Sequence, residues 1–291
     1  MAAVALGRCC RRLLRTGGHG GGGTAPSSSS AGGVRHKSSV QYLSRPDLPK
    51  LAYQKVKGKS PGVVYLPGFA STMNGQKAVA LEDFCKSLGH SYLRFDYTGC
   101  GESEGVFEEG RIGTWKKDVL AVLDELTEGP QVSLASEEGA GAESRRSRMN
   151  PARPAPLGGG ALARHASCTA RCVALGPEAR KEIEDKGVWK FPTKHNEEGF
   201  YSISLDLIRE AEHHCVLQSP IPVTCPVRLI HGMQDPDVSW HTSLQVADRV
   251  LSTDVDLILR KHGLHRMSEK EDIKLLTYTL DDLIDKLTTL V

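Results

Sequence analysis

Acidic residues are absent from the first 46 positions of this 291-residue chain, whereas Arg8, Arg11, Arg12, Arg15, Arg35, Lys37 and Arg45 all fall there. The formal net charge is only +2, so the sequence beyond those seven cations carries −5. A domain of that sign repels phosphate backbones, which argues against nucleic-acid binding. Long apolar runs are missing too: nothing approaches the roughly 18 residues that a membrane helix requires. Leu13-Leu14 is the longest bulky aliphatic run near the start, too short for the roughly 7–15 residues of a secretory signal. The eight cysteines lack the spacing of a disulfide framework. Cys168 and Cys172, with His165 nearby, have no second ligand pair to complete a zinc site, so neither metal nor cofactor is expected.

The opening stretch combines arginine with alanine, glycine and serine and has no acid, which is the composition of a mitochondrial presequence. Residues 1–40 are therefore expected to be a transit peptide removed after import, or else a disordered tail. Residues 41–291 are then one soluble domain, long enough for a single large core.

Within that domain short β-branched runs alternate with helical patterns, the layout of a mostly parallel sheet covered by helices on both faces. Val63–Leu66 and Tyr92–Phe95 read as strands, with a helix over Lys77–Leu88 between them. Trp115–Leu126 places Val119, Leu120, Leu123 and Leu126 on one helical face, and Gly129-Pro130 ends it. Ser204–Leu217 reads as helix, Val227–Ile230 as strand, Ser243–Leu251 as helix and Val255–Leu259 as strand. A closing helix begins near Ser268 and lines Ile273, Leu276, Leu280, Leu283 and Leu287 along one side. Residues 131–180 break the pattern: Arg145, Arg146, Arg148, Pro151, Pro154 and Pro156 crowd where a central strand belongs, so an irregular segment is expected.

The strongest chemical signal is His231-Gly232-Met233-Gln234-Asp235-Pro236-Asp237-Val238 after one strand and Gly263-Leu264-His265 after the next. An acid and then a histidine on the last two strand-ending loops is how an α/β-hydrolase supplies the partners of its nucleophile. Asp235 would orient the imidazole and stabilise its charged form; His265 would move the proton. Either residue alone would more simply be a turn cap or a surface histidine; their joint placement favours chemistry. Asp237 and His262 are the local competitors. The loop Leu66-Pro67-Gly68-Phe69-Ala70 lies where this fold places an oxyanion donor, with Phe69 as the candidate N–H, though Pro67-Gly68 also makes a turn. The Gly-x-Ser-x-Gly match at Gly101–Gly105 lacks the strand-to-helix corner that a nucleophile needs, and Glu102 and Glu104 oppose negative charge there; Ser103 is read as structural.

Pro46-Asp47-Leu48-Pro49, the run Phe84–His90, Phe95-Asp96-Tyr97, the run Glu210–Cys215 and the run Ala247–Asp256 carry a further resemblance. Over about residues 41–131 and 180–291 the chain resembles the mitochondrial palmitoyl-protein thioesterases, also described as acyl-glucuronide esterases, of the α/β-hydrolase-domain family. That resemblance implies a cofactor-free serine hydrolase acting on S-palmitoylated proteins and acyl-glucuronides. It matches Asp235 and His265 to the catalytic acid and base, Phe69 to the oxyanion loop, and 181–217 to a small helical lid. There Trp189, Phe191, Phe200 and Tyr201 would border an acyl chain or simply pack the lid down. The family's elbow serine falls on Glu137, whose carboxylate has no proton for His265 to accept, and Ser136 is one place off. The nucleophile is thus not found, and the alternative is a catalytically impaired or inactive acyl-binding variant. Preserved length with lost chemistry over 131–180 is what a stretch of coding sequence read in another frame produces.

Overall fold

The computed structural model describes residues 3–8, 39–136, 177–192 and 198–289. Eight strands make one sheet in the order β10-β9-β1-β6-β4-β5-β3-β2. They are β1 (Ala3–Arg8), β2 (Gln41–Arg45), β3 (Leu48–Val56), β4 (Lys59–Leu66), β5 (His90–Phe95), β6 (Gln131–Ala135), β9 (Val227–Gly232) and β10 (Val255–Arg260). A separate hairpin pairs β7 (Val188–Pro192) with β8 (Phe200–Ser204). The helices are α1 (Gln76–Leu88), α2 (Ile112–Leu126), α3 (Pro177–Lys186), α4 (Leu205–Glu212), α5 (His241–Arg249) and α6 (Lys270–Thr289).

Strand β4 runs parallel to both β5 and β6, and β9 runs parallel to β10, as strands joined through helices must. Period two sorts the side chains. Val63, Tyr65, Val132 and Leu134 point to the layer of α1 and α6, packing with Ala78, Leu81, Leu280 and Leu283. Val64, Leu66 and Ala135 point to the opposite layer, with Val119, Val122 and Leu123 of α2 and Val246 of α5. Both faces are therefore dry, which explains why the central strands read as continuous apolar runs. Each such fully covered aliphatic side chain contributes roughly 1.5–3 kcal/mol.

Four expectations change. Residues 131–180 are not irregular throughout, because Gln131–Ala135 forms a wholly buried strand beside β4. Five residues suffice for a strand, and the prolines and arginines that argued against one begin only at position 145; residues 137–176 lie outside the described part. The helix expected over Ser204–Leu217 is shorter: the Ser204 hydroxyl caps it by accepting the Leu207 N–H at 3.3 Å, and helix ends at Glu212. The small lid over 181–217 is not purely helical, since the β7–β8 hairpin joins α3 and α4; its β-branched and aromatic content, Val188, Trp189, Phe191, Phe200, Tyr201 and Ile203, suits strands better than a helix. Finally, Ala3–Arg8, within the segment read as presequence or tail, lies in the sheet between β6 and β9.

Charged groups below the surface hold the loops at the strand ends. The Arg94 guanidinium donates to Glu82 at 2.6 Å and to the Met73 carbonyl at 2.6 Å, fixing the loop before α1. Asp118 accepts from Arg45 at 2.6 Å and from the Thr98 N–H at 2.8 Å. Ser103 accepts the Ala52 N–H at 2.8 Å and donates to the Asp96 carbonyl at 2.7 Å, so the Gly-x-Ser-x-Gly match is a clasp between a loop and β3. Burial alone would raise the Glu82 carboxyl, but hydrogen bonds from Lys86 and Arg94 hold it below the usual carboxylate range. Its stabilising contribution is therefore complete above the unfolded value near 4.3 and is lost as pH falls through the lower folded value. Glu82→Gln leaves Arg94 buried without its anion and is expected to cost about 3 kcal/mol at pH 7. Urea unfolding measures the loss, and the deficit relative to the unaltered protein should shrink in acid below about pH 4.

Candidate active site

The carboxyl ends of β9 and β10 bring the acid and the imidazole together. The loops that leave these strands cross at two glycines. A Cβ on Gly232 would stand 2.4 Å from the Gly263 carbonyl carbon, and one on Gly263 would stand 2.8 Å from the Gly232 Cα. Backbone bonds lock the crossing: Met233 N–H donates to the Arg260 carbonyl at 2.9 Å and Gln234 N–H to the Gly263 carbonyl at 3.0 Å. No residue with a side chain allows this approach, which is the physical content of the Gly-x-x-Asp and Gly-x-His spacings.

Across that crossing His265 Nδ1 lies 2.9 Å from Asp235 Oδ1. The same oxygen accepts the Asp237 N–H at 2.8 Å and the Val238 N–H at 2.9 Å. The carboxylate is almost fully covered, while about a fifth of the His265 side chain remains exposed. Burial opposes ionisation of Asp235, yet hydrogen bonds from His231 and His265 hold its carboxyl far below the usual carboxylate range. An ionised acceptor at Nδ1 puts the imidazole proton on that nitrogen and leaves Nε2 with a lone pair. Behind the pair, His231 is fully buried between the Ser243 hydroxyl at 2.7 Å and the Val238 carbonyl at 3.1 Å.

Of the local competitors, Asp237 approaches the same nitrogen at 3.3 Å, and His262 instead stands exposed beside Gln234. Among the described residues, Asp235, Asp237 and His265 are also a group with ligand atoms within 4.8 Å of one another. Asp235 Oδ1 already accepts two backbone N–H groups, so this arrangement serves an oriented imidazole better than an ion.

Phe69 follows β4 at the same sheet edge. Its ring meets Phe107 at 5.1 Å, Trp115 at 6.0 Å and Tyr201 of β8 at 5.7 Å, all edge-on. Phe69 and Tyr201 thus join the loop after β4 to the β7–β8 hairpin, where Trp189 and Phe191 form a second aromatic pair at 5.2 Å. Arg111 fastens the lid from the other side, donating to Asp206 at 3.0 Å and to the Ser204 hydroxyl at 3.3 Å.

The end of β6 carries a cluster that the sequence did not reveal. Ser136 continues the ladder, its N–H donating to the Leu66 carbonyl at 3.0 Å, and its hydroxyl accepts from Lys77 Nζ at 3.0 Å. Lys77 also donates to the Arg266 carbonyl at 2.8 Å, so one ammonium ties α1, β6 and the histidine loop together. The Tyr65 hydroxyl is hydrogen-bonded to Ser136 as well, and burial pushes its pKa up to about 12. Ser136 Oγ lies 3.6 Å from where a Cβ on Gly68 would be, so the loop after β4 abuts this strand end. Lys77 sits on the exposed-looking first turn of an amphipathic helix, a place that gives no sequence signal. Glu137, which holds the elbow position, lies outside the described residues.

No protein-family profile matches the chain. Among curated proteins, "Palmitoyl-protein thioesterase ABHD10, mitochondrial" from Bos taurus is 57% identical over 257 residues, covering 88% of this chain and 84% of that protein. Its Homo sapiens counterpart is 56% identical over 257 residues, with the same coverage of both chains. Among solved structures, alpha/beta hydrolase domain-containing protein 10 from mouse superposes with a TM-score of 0.76 at 52% identity, covering 86% of this chain and 99% of that one. A putative hydrolase from Agrobacterium vitis follows at a TM-score of 0.72 and 25% identity, covering 85% and 98%. Identity of this extent, on a sheet whose last two strand ends bring an acid and a histidine together, places the chain in the ABHD10 family of mitochondrial α/β-hydrolases.

Proposed function

We propose that this chain is a mitochondrial hydrolase of acyl thioesters, removing palmitate from protein cysteines, with acyl-glucuronide esters as a second substrate class. The observation that carries the reading is the Asp235–His265 hydrogen bond of 2.9 Å at the carboxyl edge of the sheet. In this reaction His265 Nε2 takes the proton from the attacking hydroxyl and returns it to the departing thiolate or glucuronate. Asp235 stays ionised and keeps the ring in the tautomer that exposes Nε2. The Phe69 N–H, at the turn after β4, is the donor assigned to the developing oxyanion. Aromatic residues of the lid hairpin, Tyr201 against Phe69 and Trp189 against Phe191, give the acyl chain an apolar border. The composition of residues 1–40 supports their role as the import signal. No cofactor is required, because both chemical steps are proton transfers and acyl transfer.

The family reaction passes through an acyl-serine, and the elbow position here is Glu137. Without an elbow hydroxyl, the acid–base pair and the oxyanion donor act on water alone, a situation that retains a residual rate while losing up to about 10⁶ in turnover. Fluorophosphonate labelling with mass spectrometry of the tagged peptide separates the two states. A tagged serine whose labelling disappears in His265→Ala establishes acyl-serine chemistry. No tag in a protein that melts cooperatively leaves an acyl-binding variant, and no tag without a cooperative melt leaves an unstable chain.

Turnover of a palmitoyl thioester tests the pair directly. Asp235→Asn should lower kcat by about 10²–10⁴-fold, since an amide at this position no longer imposes the tautomer. Gly232→Ala removes no ionisable group, yet its Cβ would collide with the Gly263 backbone and part the loops. It should lower kcat by at least about tenfold if a misplacement near 1 Å carries its usual penalty. Unchanged turnover in both variants would sink the assignment.

A further inference from the structure

The acid and the imidazole leave from β9 and β10, whereas the elbow position follows β6, so the chemistry depends on how the loop carrying His265 is registered against the end of β6. Two contacts hold that loop from opposite sides. Ahead of His265, the Gly263 carbonyl accepts the Gln234 N–H at 3.0 Å. Behind it, the Arg266 carbonyl accepts from Lys77 Nζ at 2.8 Å. The backbone there is strained: Met267 is buried at a φ of +42°, a left-handed conformation that is costly for any residue but glycine. Such a turn persists only when its surroundings hold it.

Lys77 is poorly placed for helix stability alone. It falls in the first turn of α1, where the aligned peptide dipoles disfavour positive charge, and that turn contains no acid. The N-cap residue, Gly75, supplies no side-chain bond either. The half-buried side chain instead carries its ammonium to the Arg266 carbonyl and to the Ser136 hydroxyl at 3.0 Å. Ser136 is itself fixed, since its N–H donates to the Leu66 carbonyl at 3.0 Å and its side chain is bonded to the hydroxyl of buried Tyr65. Burial pushes the Tyr65 pKa up to about 12, so the phenol keeps its proton at neutral pH and the serine oxygen is anchored to β4 as well as β6.

We infer that Lys77 is a positioning residue for the hydrolytic reaction: its ammonium, shared between the Ser136 hydroxyl and the Arg266 carbonyl, registers the His265 loop against the end of β6. The inference rests on the acid–base reading of Asp235 and His265 for its chemistry, whereas the bridge is a property of the fold. Without the bridge the turn at Met267 loses its outside hold and the loop opens more often. The imidazole then spends less time at the height of the strand end, although no group that touches substrate has been removed.

The test compares the unaltered full chain with Lys77→Met, which keeps an unbranched stem and removes the charge, and with Lys77→Arg, which keeps a cationic donor. In a Lys77→Met protein that still melts cooperatively, the low-field imidazole Nδ1–H signal of His265, assigned by its loss in His265→Ala, should exchange with water at least about tenfold faster. Turnover of a palmitoyl thioester should lose about 10²-fold in kcat with KM within about twofold, as a displaced general base predicts. Lys77→Arg should recover most of both. Ser136→Ala, which removes the other end of the bridge, should move the same proton and the same kcat in the same direction, and adding it to Lys77→Met should change neither further. That variant decides the case if Lys77→Met fails to fold. A folded Lys77→Met protein whose Nδ1–H exchange and kcat match the unaltered chain, or losses that Lys77→Arg does not relieve, overturn the inference. If the unaltered chain shows no turnover, the hydrolase reading fails on its own, and the exchange of the imidazole proton still decides for or against the bridge.

Discussion

The contact of Gly232 with Gly263 is the constraint on which the rest of the site depends. Two parallel strands end side by side, and their loops pass so closely that a single methyl on either would meet backbone or the Met267 sulfur. Because the crossing is locked by backbone hydrogen bonds, the positions of Asp235 and His265 are set by main chain and not by their own side-chain choices. The carboxylate then needs no further adjustment. Two N–H groups of its own turn hold one oxygen, and the imidazole completes the set. A long, flexible pair could reach the same distance, but it would lose side-chain entropy in doing so; this one is oriented before substrate arrives.

Around that edge the molecule uses aromatic packing where the lid must rest and ionic clusters where loops must hold. Phe69 is shared between two elements: its backbone belongs to the turn after β4, and its ring meets Tyr201 of the hairpin. Arg94 with Glu82, and Asp118 with Arg45, fix the loops after β4 and β5 from beneath the surface. Lys77 joins three elements at their ends, and its partners are a hydroxyl and a carbonyl that no pattern of apolar residues would point to. Family membership and the acid–imidazole geometry therefore rest on the parts of the chain that kept their pattern, while the elbow position stands at the start of the part that did not.

Periodicity was enough for most of the scaffold because both faces of the central sheet are buried and its strands must alternate with amphipathic helices. Lys77–Leu88, Trp115–Leu126, Val227–Ile230 and Val255–Leu259 all lie within the elements observed. It failed where the local signal was short or shared. Gln131–Ala135 is five residues long, and the basic, proline-rich sequence downstream hid it. The resemblance implies a helical lid over 181–217, whereas Phe200–Ser204 is a strand that pairs with Val188–Pro192 and runs directly into a true helix at Leu205.

By itself the sequence determined which residue types stand after the last two strands, because Gly-x-x-Asp and Gly-x-His are local demands of tight backbone turns. It also determined the three-layered arrangement of a sheet between helices, since short apolar strand runs alternating with patterns of period 3.6 leave few ways to bury both. Only the tertiary structure decided that Asp235, ahead of Asp237, takes the pair of backbone N–H bonds beside His265, and that the Gly101–Gly105 serine clasps a strand. It alone decided that Ala3–Arg8 enters the sheet. Strand partners, unlike turns, are chosen by whatever edge remains unpaired once the rest has folded, and a sequence read in order carries no record of that vacancy.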